Sequence, residues 1–104
     1  MNNIEHTHPR HQLSEMLQNP IRFSIIAALD KAEKLSFQEV KEAVEVTDSA
    51  LSKQITALET AGYLLAQKSF VGKYPRTMLS LTKDGRSAWR KHLNTLREIA
   101  GDLI

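Results

Sequence analysis

Asp48-Ser49-Ala50-Leu51-Ser52-Lys53-Gln54-Ile55, continuing through Leu58-Glu59-Thr60-Ala61-Gly62-Tyr63-Leu64, decides how this chain folds. Thr47, just before it, suits a helix N-cap, and Asp48 sets a negative charge at the positive end of the helix dipole. Leu51, Ile55 and Leu58 fall on one stripe, so the spacing predicts a helix from about Asp48 to Thr60 whose stripe packs inward. With that stripe buried, Ser49, Lys53, Thr56 and Thr60 turn to the opposite face, with Ser52 on its flank. Ala61-Gly62 closes the helix, Gly62 falling where a left-handed residue is wanted.

Upstream, Leu35-Ser36-Phe37-Gln38-Glu39-Val40 is a second helix start. Ser36 and Glu39 have capping-box spacing, Leu35 can staple against Val40, and Phe37, Val40 and Val44 face inward. A break at Glu45-Val46-Thr47 separates this helix from the next, so the pair reads as a helix-turn-helix unit. Asn19-Pro20 starts an earlier helix running to about Lys31, with a capping side chain followed by Pro at the first helical position. A short helix is expected from about Arg10 to Gln18. Residues 1–12, with His6, His8 and His11 around Pro9, read as a flexible tail.

Downstream of Gly62 the period changes from helical to alternating. Tyr63 to Phe70 reads as a strand, Val71-Gly72-Lys73-Tyr74 as a loop, and Arg76 to Leu81 as the returning strand, with Leu79 and Leu81 on the core face. Pro75 suits the hairpin's tip, since it offers no backbone donor. Thr82 caps a last helix from about Lys83 to Asp102. Three helices, a two-stranded hairpin and flanking N- and C-terminal helices give an α+β fold of the winged helix-turn-helix type, as one domain spanning residues 1–104.

Composition narrows the function classes. The chain has 104 residues, of which 41% are hydrophobic and 25% charged, the profile of a soluble globular domain. No apolar run approaches the ~18 residues of a membrane span, the first dozen residues lack a signal-peptide core, and a cytoplasmic location is expected. Cysteine is absent, which excludes disulfides and thiolate metal sites. Charge is unevenly spread: residues 1–45 carry 5 Lys/Arg and 7 Asp/Glu, whereas residues 46–92 carry 8 Lys/Arg and 3 Asp/Glu. Such asymmetry suits a chain that shows one face to phosphates. No glycine-rich phosphate loop, nucleophile elbow or flanking carboxylate pair is present, so no enzymatic activity and no cofactor are expected.

The stretch from Asp48 to Leu64, with Gly72-Lys73-Tyr74-Pro75-Arg76-Thr77 and Leu81-Thr82-Lys83-Asp84-Gly85-Arg86, resembles the recognition helix, wing and last-helix start of the MarR/ArsR-like winged-helix regulators. The resemblance spans roughly Asn19 to Ala88 and is nearest to compact MarR-type members. Full-length members carry longer helices around the wing domain, a point on which this chain departs. The resemblance implies a transcriptional regulator that binds double-stranded DNA, with the helix at about 48–60 in the major groove and the wing at about 63–82 on the flanking backbone or minor groove.

Residue chemistry fits that expectation. Thr47, Ser49, Ser52 and Thr56 supply hydroxyls for base edges or phosphates, and Lys53 can reach a guanine edge or a phosphate. Lys68, Lys73 and Arg76, with Tyr74 among them, make the wing basic, with Lys73 or Arg76 as candidates for the minor groove; the same charges would also protect a sheet edge. Trp89, Leu93, Leu96, Ala100 and Leu103, spaced 4, 3, 4 and 3, form a coiled-coil-like seam on a terminal helix at about 83–104 and point to a homodimer, although the seam could instead fold back on its own domain. Two alternatives stay open: a winged helix used for protein contact, and a metal sensor built on His6, His8, His11 and His92. The tail offers no fixed ligand geometry, and no metal site is assigned.

Overall fold

The computed structural model describes residues 7–101. Local capping sets where the helices begin. The Asn19 side chain accepts a hydrogen bond from the Arg22 amide and Pro20 occupies the first turn of α1, Pro20–Asp30. The capping box forms: Ser36 Oγ accepts from the Glu39 amide at 3.1 Å, and Glu39 Oε1 from the Ser36 amide at 3.0 Å, opening α2, Phe37–Val44. The Ser36 amide, with smaller contributions from the Ser36 side chain and the Arg76 guanidinium, holds the Glu39 carboxyl below its ordinary value. α2 ends at Glu45 in the left-handed region, φ 59°, and α3, Asp48–Thr60, follows under a Thr47 cap.

β2, Leu64–Val71, and β3, Tyr74–Leu81, form an antiparallel hairpin, and α4, Lys83–Ile99, closes the described chain under a Thr82 cap. A third strand, β1 at Leu35–Ser36, pairs Leu35 with Leu79 and Ser36 with Met78, giving the sheet order β1-β3-β2. No local pattern predicts this strand, because two residues show no alternation and Ser36 already serves as a helix cap. The core joins Leu17, Ile25, Ile26, Leu29, Val40, Leu51, Ile55, Leu58, Leu64, Leu79 and Trp89, so every helix and both long strands contribute to one cluster.

Four expectations are corrected. The helix expected at Arg10–Gln18 is instead two 3-10 turns, Pro9–Gln12 and Glu15–Gln18. Leu13 and Ser14 are extended between them, and the Ser14 amide donates to His92 Nδ1 on α4 at 3.1 Å rather than to a helical carbonyl. Residues 9–12, expected within a flexible tail, consequently lie against α4; residues 1–6, including His6, lie outside the described residues. The loop expected at Val71–Tyr74 is a two-residue turn, with Val71 already paired to Tyr74, so β3 starts at Tyr74 and not Arg76. Gly72 takes φ 63° while Lys73 stays negative, the pattern a II′ turn requires. Finally, α4 ends at Ile99, and Ala100 and Gly101, φ 77°, terminate it; Asp102 and Leu103 lie outside the described residues.

Candidate nucleic-acid interface

α3 owes its placement to both its neighbours. Leu51 and Leu58 are fully buried and Ile55 nearly so, which fixes the helix's rotation. At its start, Lys41 Nζ on α2 meets Asp48 Oδ1 at 2.7 Å across the turn, offsetting the acid at that end. Midway, Arg22 Nη1 on α1 donates to Gln54 Oε1 at 2.9 Å, while Arg22 Nε donates to the Met16 carbonyl at 2.6 Å. Arg22 thus ties the second 3-10 turn and α3 to one helix, a link no local pattern announces.

The outward face carries the expected residues. Thr47, Ser49, Ser52, Lys53, Thr56 and Thr60 are all exposed. Three hydroxyls are partly committed: Thr47 Oγ1 accepts from the Ala50 amide at 3.2 Å and shares a hydrogen bond with Ser49 Oγ at 3.4 Å, and Thr56 Oγ1 donates to the Ser52 carbonyl at 3.0 Å. Thr56 therefore presents acceptor lone pairs and a methyl rather than a free donor. Glu59 is exposed too, seven residues beyond Ser52 and so about 10 Å further along the axis. The face suited to phosphates is the first two turns.

Lys68, Lys73, Tyr74 and Arg76 are exposed on the hairpin that follows. Lys73 sits in the turn, whereas Arg76 lies two residues back along β3 and lines a cleft of ≈ 300 Å³ with Ser36, Phe37, Gln38, Pro75 and Thr77. Phe70 and Val71, which alternation alone leaves indistinguishable from core positions, are exposed at the same tip.

The expected α4 seam divides. Trp89 is only 6% exposed and its ring lies 4.7 Å from that of Phe23, so it belongs to the chain's own core and has little surface for a partner. Leu93 is half-buried against the same core, while Leu96 and Ala100 are exposed, joined by Ile99. Two of the histidines are engaged in hydrogen bonds within the fold: His8 Nδ1 accepts from the Arg10 amide, and His92 Nδ1 from the Ser14 amide across 78 positions. Among the described residues no group of three or more His, Cys, Asp or Glu is arranged to hold a metal ion, and no helix is long and apolar enough to cross a membrane.

Residues 21–100, from α1 through the end of α4, match the winged helix DNA-binding domain family. The chain belongs to that family. A transcriptional regulator homologue from Pyrococcus horikoshii OT3 is 27% identical, with a TM-score of 0.79 over 86% of this chain and 89% of that one. An uncharacterized protein of Methanocaldococcus jannaschii is 24% identical over 89 residues, 86% of this chain and 97% of its own length. AbsC, a MarR family transcriptional regulator from Streptomyces coelicolor, is 24% identical with a TM-score of 0.66 over 92% of this chain and 71% of that one, a likeness of fold. Family membership over residues 21–100 makes the chain a winged helix DNA-binding domain.

Proposed function

We propose that this winged-helix protein binds double-stranded DNA as a cytoplasmic homodimer, with the first two turns of α3 in the major groove and the β2–β3 wing on the flanking backbone or minor groove. The observation that carries the reading is the pairing of an exposed, hydroxyl-rich α3 face around Lys53 with a wing that has no acid. From Thr60 to Lys83 the chain contains four Lys/Arg and no Asp/Glu. Ser49, Ser52 and Lys53 meet base edges in this arrangement; Thr47 and Thr56 position the helix on phosphates. Lys68, Lys73, Tyr74 and Arg76 hold the duplex outside the major groove. Exposed Leu96 and Ile99, with Ala100 and half-buried Leu93, support pairing of two α4 helices, and Leu103 continues the same spacing.

Salt-dependent binding tests this reading. Each phosphate neutralised contributes about −0.9 to the slope of log K against log salt, so the protein should bind duplex DNA at low salt and weaken steeply as salt rises. Sedimentation of the same sample should give a dimer, and L96E/I99E should give folded monomers with weaker DNA binding. A flat salt response, or no duplex binding at low salt, would favour the use of this surface for protein contact.

A further inference from the structure

The wing tip carries more than charge. Phe70 is 71% exposed, Val71 54% and Tyr74 77%, so three large apolar side chains stand in solvent within five positions. Val71 pairs with Tyr74 and Phe70 with Pro75. Directly opposed residues of an antiparallel pair share a face, and successive residues alternate. Val71 and Tyr74 therefore crown one face of the hairpin, and Phe70 and Pro75 the other. With a turn of only two residues, the tip is narrow, and Lys73 is its single apical side chain.

The hairpin outruns the core. Eight residues per strand span about 26 Å at 3.3 Å per residue, yet of the β2–β3 pairs only those nearest α4 reach the buried cluster, through Leu64 and Leu79. Among the described residues, nothing covers most of the Phe70, Val71 and Tyr74 side chains. Apolar side chains gathered at such a point mark a contact surface, because burying them against a partner removes unfavourable exposure.

The charge around the tip identifies the partner. Lys68 precedes Phe70 by two positions and shares its face; Arg76 follows Tyr74 by two and shares its face; Lys73 stands between. Within the hairpin the rings are flanked by cations alone, since no acid occurs from Thr60 to Lys83; Glu39 on α2 is the acid that feels the Arg76 charge. Phosphates line both walls of a DNA groove, so a duplex answers the collar and the rings at once. Apolar side chains inserted from the minor groove partly unstack a base step and kink the duplex toward the major groove.

Resting on the reading of the wing as a DNA contact, we propose that Phe70, Val71 and Tyr74 form an apolar wedge that enters the minor groove and unstacks a deformable base step. The step's deformability then becomes part of site selection, because pyrimidine–purine steps such as TA unstack at lower cost than A-tracts. Lys68, Lys73 and Arg76 hold the walls while the rings meet the bases.

Two duplexes of about 30 base pairs with equal composition test this, one carrying separated TA steps and the other the same bases in A-tracts. 2-Aminopurine replaces the adenine of the TA steps. The wild type should prefer the TA duplex about tenfold and raise the 2-aminopurine fluorescence as the step unstacks. F70S/Y74S should bind both duplexes with the A-tract affinity, keep the wild-type salt slope and leave the fluorescence unchanged. F70L/Y74L, which keeps the apolar wedge without the rings, should retain most of the preference. Wild-type binding without preference or fluorescence change overturns the wedge and leaves the DNA reading standing, as does F70S/Y74S behaving like the wild type. If the wild type binds neither duplex at low salt, both readings fall.

Discussion

Gly85 shows how a single residue can set the spacing of the whole wing. It is buried in the first turn of α4, and a Cβ built there would run into the Tyr63 carbonyl. Three hydrogen bonds draw the chain in so closely. The Thr82 amide donates to the Tyr63 carbonyl at 3.1 Å, Thr82 Oγ1 donates to the Gly62 carbonyl at 2.6 Å, and the Gly85 amide donates to Thr82 Oγ1 at 2.9 Å. The exit of α3 is thereby fastened to the start of α4, with the hairpin looped out between them. Alanine would gain ~1 kcal/mol as a helix former, but the opposing atoms are backbone and cannot swing aside. G85A should therefore destabilise the fold by about 1–3 kcal/mol, read as a drop of several degrees in Tm. An unchanged or raised Tm would show that α4 can shift to admit the methyl. The Leu81-Thr82-Lys83-Asp84-Gly85 string is legible as a cap, but the reason for its glycine lies 22 positions away at Tyr63 and leaves no local mark.

At the scale of elements, α3 and the wing have separable duties. Ser52 and Lys53 project from the early turns of α3, so S52A/K53A should forfeit hydrogen bonds to base edges: about 1–3 kcal/mol on a preferred site and much less on scrambled DNA. K73A/R76A removes wing cations, so it should weaken both sites by similar factors and lower the salt slope by about 1 for each phosphate left without its cation. All four side chains are exposed, and both variants should melt near the wild type. Binding to matched and scrambled sites at several salt concentrations separates the two patterns. The reverse outcome, with discrimination abolished in the wing variant alone, would exchange the roles of helix and wing. The helices are legible in the sequence because their caps are local: Asn19-Pro20, Ser36 with Glu39, Thr47 and Thr82 each declare a start within four residues. Strand alternation is legible too, yet it cannot tell that the sheet extends past its core, which is why Phe70 carries the same pattern as buried Leu64. The 4-3 spacing of α4 is equally silent on direction, since a stripe that packs inward at Trp89 and one that faces outward at Leu96 look alike in sequence.

Across the whole molecule, the N-terminal segment and α4 are held together by a bond that depends on pH. His92 is buried on α4, its ring 6.0 Å from that of Phe23 in an edge-on contact, and its Nδ1 accepts from the Ser14 amide. That bond requires a neutral imidazole with its proton on Nε2, because a protonated Nδ1 would face the amide donor with a hydrogen of its own. Burial pushes the His92 pKa below its ordinary 6.5. Arg10 and His11 on the first N-terminal turn, Glu15 on the second, and Arg22 and Asp30 on α1 are the charged and titratable residues of the elements beside it, and burial drives the shift. For a base whose folded pKa is depressed, the unfolded chain binds the extra proton as pH falls. Stability is therefore full above about pH 6.5 and declines below it until the folded pKa is reached. Glu39, whose carboxyl is also held below its ordinary value of 4.5, adds its own loss only at more acid pH, so the interval from pH 7 to pH 5 separates His92 from Glu39, and comparison with H92N separates it from the chain's three other histidines. H92N places an amide oxygen near the position of Nδ1 and cannot titrate. Denaturant melts across that interval should show the wild type losing stability on acidification and H92N losing distinctly less, with the Ser14 amide exchanging faster in the acidified wild type. Equal pH slopes for the two proteins would mean that the segment is held by Leu13, Leu17 and their apolar neighbours regardless of the charge on His92.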